Sequence, residues 1–249
     1  MQWRDEGLVI AKRRFGENNV ILDVLTRQHG RRSGLVFGGN SRRKRADLEC
    51  GNSLEINWVG RLSEQLGRFD LAEVKTSRAA RHFDDFAAMT ALTVICEILR
   101  QALDEGDDAG SALYEPTLFL LDSLFDPMIW PVLYVRWELG LLSALGFGLD
   151  LEKCALSDAE TGLTHVSPNT GRAVVGAEAG EYRDRLLKLP AFLIESAQPA
   201  TANDIEDGLQ LTGHFLRQRL FAHIHKDLPA TRGRLSERLP KIISGNLSN

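Results

Sequence analysis

The stretch GLVIAKRRFGENNVILDVLTRQHGRRSGLVF, residues 7–37, decides the fold. It consists of three apolar runs separated by breaks rich in Gly and Asn. Gly7–Arg14 is apolar at Leu8, Val9 and Ile10, then turns basic at Lys12, Arg13 and Arg14. Phe15-Gly16-Glu17-Asn18-Asn19 reads as a turn, because Gly and Asn tolerate the backbone angles of tight reversals. Val20–Thr26 is rich in β-branched and aliphatic residues, as a strand requires. His29-Gly30-Arg31 marks a second turn and Ser33–Phe37 a third short strand. Downstream, Asn52–Val59 sets Leu54, Ile56 and Trp58 on one face against Glu55 and Asn57 on the other, the period of a half-buried strand. Phe69–Val74 alternates less cleanly through Leu71, Ala72 and Val74. Five short strands within residues 1–80 predict a small closed barrel, since closure removes exposed strand edges.

After residue 80 the period changes. Phe86, Met89, Leu92, Val94, Ile95, Ile98, Leu99 and Leu103 recur mostly at three- and four-residue steps, which predicts one long buried helix over Arg81–Leu103. An acidic loop, Asp104–Asp108, ends it. Leu113–Phe125 and Pro131–Leu145 read as two more helices, separated by the breakers Asp126-Pro127 and Trp130-Pro131. Residues 150–180 lose periodicity and gain Gly, Thr, Ser and Pro, so an insert of turns and short strands is expected. Glu181–Leu187, Ala191–Ser196 and a long amphipathic helix over Asn203–His225, apolar at Leu209, Leu211, Phe215, Leu216 and Leu220, close the domain. The tail from Asp227 is basic and Pro-containing, and its end is expected to fray.

The formal charge of −4 conceals an asymmetry. Residues 1–80 hold fifteen Lys and Arg against ten Asp and Glu, whereas the rest hold fifteen against twenty-four. A basic end on an acidic chain points to a polyanion partner. Three cysteines (Cys50, Cys96 and Cys154) without a CxxC pair argue against a disulfide framework and fit a reducing compartment. Arg4, Asp5 and Glu6 follow Met1 too closely for a signal peptide, and Arg136 and Glu138 interrupt the most apolar stretch, Met128–Leu149. A cytoplasmic protein is expected, with no membrane partner.

The sharpest local feature is Gly38-Gly39-Asn40-Ser41-Arg42-Arg43-Lys44-Arg45, four consecutive cations after a Gly-Gly step. Guanidinium forks suit phosphate oxygens and keep their charge at physiological pH. The glycines would let the loop approach a nucleic-acid backbone closely. Lys12, Arg13 and Arg14 in a neighbouring strand extend the same patch, although a solvated loop with no ligand fits these residues too. Phe15, Phe37 and Trp58 are candidates for stacking on bases, against the usual use of strand aromatics as core. Arg217, Arg219 and Lys226, placed on the last helix, offer a second basic stripe, a groove for a partner's tail, or simply a solvated face. Asp84-Asp85 and the run Asp104, Glu105, Asp107, Asp108 read as solvated helix ends, since a two-metal nuclease needs carboxylates converging from separate elements. His223 and His225 suit a helix C-terminal dipole better than a metal. There is no GxxxxGK[ST] loop and no nucleophile elbow, and Gly146-Phe147-Gly148 is a turn, so no enzymatic reaction is expected.

Together these residues resemble the RecO family. Glu6-Gly7-Leu8-Val9-Ile10, Asn18–Thr26 and Gly30-x3-Gly34-Leu35-Val36 are similar to its first three strands. Gly38-Gly39-x2-Arg42-Arg43 is similar to its basic loop, and Leu48-x2-Gly51-Asn52 to the approach to its fourth strand. Val135-Arg136-Trp137-Glu138-Leu139-x-Leu141-Leu142-x3-Gly146 looks like the helix before its zinc-finger region, with Cys154 where the first zinc ligand would stand. The resemblance implies an α+β protein: an N-terminal OB-fold β-barrel over 1–80, then an all-α domain over 81–249 with a zinc-finger-like insert at about 150–180 that lacks most Cys ligands. It also implies a recombination mediator. Such a protein binds single- and double-stranded DNA, anneals complementary strands, engages RecR and the single-stranded DNA-binding protein, helps RecA indirectly, and associates with the nucleoid during repair. The alternative is a protein-interaction scaffold on the same barrel that binds no DNA.

Zinc-bearing members carry two CxxC pairs, which supply four thiolates. Here Leu156 and Ser157 follow Cys154, and no second pair appears between Pro168 and Gly180. No metal or other cofactor is expected, and Gly162, Pro168 and Gly171 would shape the insert as turn formers. Metal analysis of protein purified without chelator is therefore expected to find no stoichiometric zinc; one zinc per chain would overturn this reading.

Overall fold

The computed structural model describes residues 1–61, 66–194 and 199–247, which divide into two compact units, Met1–Phe125 and Asp126–Asn249. In the first, strands β1 (Gln2–Phe15), β2 (Asn19–Thr26), β3 (Arg31–Val36), β4 (Ser53–Val59) and β5 (Gly67–Thr76) form a closed barrel in the order β1-β2-β3-β5-β4. This is the expected OB-type barrel. All neighbours are antiparallel except β3 and β5, which meet in parallel at Gly34↔Gly67 and Leu35↔Arg68.

Side-chain volume explains that short contact. Val9, Val20, Leu22, Val24, Val36, Leu54, Ile56, Trp58 and Phe69 fill the barrel. A Cβ at Gly34 would lie 2.6 Å from the Phe69 ring, and one at Gly67 would lie 2.2 Å from the Trp58 indole. The strands can close only where both carry no side chain. Trp58 Nε1 donates to Ser33 O at 3.1 Å, so the ring satisfies its one polar atom inside the barrel.

Leu8, Ile10 and Leu25 lie outside this core and are equally buried, because α2 (Phe86–Ala102) packs on β1 and α3 (Asp108–Asp122) on β2. The helix expected over Arg81–Leu103 begins later, at Phe86. A single turn, α1 (Arg78–Arg81), precedes α2, and Asp85 caps α2 by accepting from the amides of Ala87 and Ala88. Phe86 sits beside that cap and is exposed rather than core. Arg78, buried, holds Asp122 at 2.7 and 2.8 Å and the Ser53 hydroxyl at 2.6 Å. The acidic loop is not merely solvated. Glu105 accepts from the Ser33 amide at 2.8 Å, and Asp107 caps α3.

In the second unit, α4 (Trp130–Ala144), α5 (Ala202–Phe215) and α6 (Ala230–Leu247) surround a buried ion pair. Arg232 on α6 holds Glu138 on α4 at 2.8 Å through two nitrogens, and Thr212 on α5 donates to the same carboxylate at 2.5 Å. The basic, Pro-containing tail, whose end was expected to fray, forms a helix anchored by Arg232, Leu235, Leu239 and Ile243; residues 248–249 lie outside the described residues. The helix expected over Asn203–His225 leaves α geometry at a π-helical turn, Leu216–Phe221, and stops at His225 in the left-handed region. Between α4 and α5 lies a small sheet, β6 (Leu163–Val166), β7 (Ala173–Val175) and β8 (Leu187–Lys188), in the order β7-β6-β8. The segments Glu181–Leu187 and Ala191–Ser196, expected to help close the domain, hold short 3-10 turns at Gly180–Arg185 and Ala191–Leu193, and Ser196 lies outside the described residues.

Replacing Gly67 with Ala forces the new methyl into Trp58 and is expected to destabilise the protein by about 1–3 kcal/mol. In a Trp58→Phe background the cost of the same change should shrink. A denaturant-unfolding double-mutant cycle measures this, and additive losses would refute the closure argument.

Candidate nucleic-acid interface

The segment between β3 and β4 folds back onto the barrel. Gly38 adopts a φ of 65° and its amide donates to Asn19 Oδ1 at 3.0 Å. A Cβ at Gly39 would meet Val20 Cγ2 at 2.5 Å. The glycine pair therefore serves a chain reversal and close packing on the barrel, not the loose approach to a ligand read from the sequence. Turn hydrogen bonds follow, from the amides of Lys44 and Arg45 to Ser41 O at 3.1 and 2.9 Å and from Leu48 to Lys44 O at 3.2 Å. Leu48 is fully buried in the barrel core. The Asn52 side chain closes the far end by donating to Ala46 O at 3.0 Å and Asp47 O at 3.1 Å. Arg42, Arg43, Lys44 and Arg45 are all exposed on this folded turn.

Lys12 does not share that exposure. Its Nζ donates to Arg45 O at 3.1 Å and pairs with Glu49, and its side chain is 18% exposed. It braces the loop against β1, and its charge is already neutralised. Arg13 and Arg14 are exposed on opposite sides of the strand. Arg14 lies opposite Val20, whose side chain enters the core, and Arg13 opposite Ile21 on the outer face. Among the described residues, the side chains of Arg13, Arg14, Arg42, Arg43, Lys44 and Arg45 make no ion pair. Beside the loop runs a groove of about 1060 Å³, with Ala11, Cys50 and Leu92 on its floor and Arg13, Arg42 and Arg45 among its lining.

Of the three aromatic candidates, Trp58 is core and unavailable to bases, whereas Phe15 and Phe37 are 51% and 60% exposed. The second basic stripe does not lie on the last helix. Arg217 and Arg219 belong to the π-helical turn after α5, and Lys226 follows the helix end. Arg219 is committed to structure, with its guanidinium 4.6 Å from the Phe215 ring centroid and Nη2 donating to Asn169 O at 3.3 Å. The His223 ring lies against Phe147 at 5.5 Å.

In the insert, Cys154 is buried and its sulfur accepts from the amides of Leu156 and Val175 at 3.4 and 3.3 Å. Burial opposes ionisation, but these bonds and those from Ser157 outweigh it and hold the thiol below its usual pKa. Gly162 and Gly171 take φ of 72° and 74° at the turns, and Pro168 O accepts from His214 at 3.1 Å. Among the described residues, no group of three His, Cys, Asp or Glu side chains is placed to hold a metal, and no helix is long and apolar enough to cross a membrane.

The features that sequence reading missed are side-chain contacts between distant residues. Lys12–Glu49 and Arg31–Leu103 join residues 37 and 72 positions apart, and no local pattern announces such pairs.

The chain matches the family models for the N-terminal part of recombination protein O over residues 1–78 and its C-terminal part over residues 84–228. It is 59% identical over 239 residues to the DNA repair protein RecO of Hyphomonas neptunium, covering 96% of this chain and 98% of that one. The protein of that name from Rhodospirillum rubrum is 43% identical over 246 residues, covering 96% of each chain. That from Cereibacter sphaeroides is 40% identical over 242 residues, covering 97% of this chain and all of the other.

Because the loop is held from beneath by Leu48, Leu48→Ala is expected to cost about 2–5 kcal/mol. Alanine at Arg42, Arg43, Lys44 and Arg45 together should shift stability far less, since none of these side chains is packed. Equal losses in urea unfolding would contradict this division between anchor and charge.

Proposed function

The chain belongs to the recombination protein O family, and on that premise we propose that it acts in DNA repair as a recombination mediator. It binds single and double strands through the barrel's basic loop, anneals complementary strands, and does so without catalysing a reaction. The observation that carries this reading is the set of six exposed cations, Arg13, Arg14, Arg42, Arg43, Lys44 and Arg45, without ion-pair partners among the described residues. Phosphate contacts need such charges: a cation already paired to a carboxylate gains little from a second anion, as Lys12 illustrates.

Two complementary strands repel through their backbones. A protein that neutralises phosphates on both lowers that repulsion and leaves the base edges free to pair. Guanidinium groups suit the task because each offers paired donors to phosphate oxygens. Sequence preference should be weak and salt dependence strong. If all six cations engage phosphates, affinity for a single strand falls by about 4 log units per tenfold rise in salt. The relatives' repair function and the family resemblance support RecR, the single-stranded DNA-binding protein and, indirectly, RecA as partners, at the nucleoid in the cytoplasm. Arg217 and Lys226 remain candidate contacts of the second unit, with Arg219 held back by its structural bonds.

The test is fluorescence anisotropy of a labelled oligonucleotide at two salt concentrations, together with an annealing assay. R42A/R43A/K44A/R45A should flatten the salt slope by about 3 log units and slow annealing while keeping the native unfolding midpoint. Unchanged annealing by this folded variant would refute the assignment, and a wild-type protein that ignores oligonucleotides in dilute buffer would favour the scaffold alternative.

A further inference from the structure

The groove beside the basic loop is lined by three carboxylates as well as by cations. Each carboxylate is engaged, and none of them by a loop arginine. Asp23 accepts from the Ser33 hydroxyl at 2.7 Å and pairs with Arg31 at 3.8 Å. Glu97 accepts from Gln101 Nε2 at 3.3 Å, one turn further along α2. Glu49 pairs with Lys12. Arg42 and Arg45 line the same groove and make no ion pair among the described residues.

The pairing of Glu49 runs against its local surroundings. Within the loop the Arg45 amide donates to Ser41 O at 2.9 Å and the Leu48 amide to Lys44 O at 3.2 Å. These are the four-residue bonds of a helical turn. Arg45 and Glu49 stand four residues apart on it, a spacing that brings opposite charges to one side of a helical segment. The Glu49 carboxylate nevertheless goes to Lys12, 37 positions away in the sequence.

Lys12 holds that carboxylate because it is itself held. Its Nζ also donates to Arg45 O at 3.1 Å, and its side chain is mostly buried, where attraction is screened less than at an open rim. One nitrogen thus bridges the Arg45 backbone and the Glu49 carboxylate, and the Arg45 guanidinium is left without an anion. A carboxylate tethered four residues from a cation would otherwise compete with every incoming phosphate at high effective concentration. Removing that competitor takes a second cation, one that need not meet the ligand.

We propose that Lys12 is this cation: a positioning residue that serves polyanion binding without touching the polyanion, by holding Glu49 away from Arg45. The proposal rests on the phosphate reading of the loop. It adds a division of labour between cations of the same patch, with Glu49 as the anion against which the loop is protected.

Binding of labelled oligothymidylate over a range of salt concentrations, by K12M and K12M/E49Q, tests it. K12M releases Glu49 onto Arg45. Its salt slope should flatten by about 0.7 log unit per tenfold change in salt, and its affinity in about 0.1 M salt should fall about fivefold. K12M/E49Q has the net charge of the wild type and no carboxylate to release, so slope and affinity should return to wild-type values. In an R45A background K12M should cost nothing further, because the cation it would quench is already gone. K12R, which keeps a donor for Glu49, should bind as the wild type does.

A K12M protein that binds normally overturns the proposal. So does a K12M/E49Q protein as weak as K12M, which would make Lys12 a phosphate contact in its own right, and so does a K12M cost that is the same with and without Arg45. Those outcomes leave the loop reading in place. Normal binding by R42A/R43A/K44A/R45A would remove the phosphate reading and this proposal with it. Methionine keeps the length of the Lys12 stem, so unfolding midpoints should match the wild type and exclude misfolding.

Discussion

The first unit depends on a contact two residues long. The barrel closes where Gly34 faces Gly67, and it can do so only because neither residue adds a side chain to a volume already taken by Trp58 and Phe69. Closure in turn fixes which way every strand faces. With the barrel shut, Val20 and Leu22 point inward, and Arg13 must point outward because it lies opposite Ile21. The positions of the cations and rings are therefore set by two large aromatic residues that never meet solvent. The candidate surface is a consequence of how the interior is filled.

The second unit relies on a different device. Its three longest helices converge on Glu138, which is wholly buried and receives bonds from Arg232 and Thr212. A buried carboxylate is costly unless fully paired, so Arg232 cannot be lost without leaving a charge stranded in the core. The same carboxylate pushes the buried Tyr134 phenol well above its usual range, after burial itself. This arrangement gives α6 a defined seat despite a sequence of low hydrophobicity. In the insert, the backbone amides of Leu156 and Val175 converge on one buried sulfur, that of Cys154.

Much of this was legible in the chain. The alternation of Leu54, Ile56 and Trp58 identifies a strand and its buried face, and the turn residues at Gly16 and Gly30 adopt left-handed angles. Such signals are local, and local periodicity is what a sequence displays openly. The later start of α2 was missed because Arg81–Asp85 contain no Gly or Pro breaker, and only the capping bonds of Asp85 reveal it. The α6 helix was missed because its stabilising partner, Glu138, lies 94 residues away. At the candidate interface, residue types identified the cations, but not which of them were already spent on an internal pair. Lys12 looked equivalent to Arg13 in the sequence and differs from it only through Glu49. The glycines before the loop likewise looked like flexibility and proved to be close packing, a distinction that rests on the position of Val20.

The bracing of the basic loop has a kinetic and entropic consequence. A cationic segment that is disordered when free must surrender its backbone freedom on meeting a ligand, at about 1–2 kcal/mol for each residue fixed. In this loop Leu48, Asn52 and the Lys12–Glu49 strut have already imposed that order during folding. The four cations thus stand preorganised, and encounter with a strand need immobilise little beyond their own side-chain rotamers. A surface of this kind can meet a polyanion with little further ordering of its backbone.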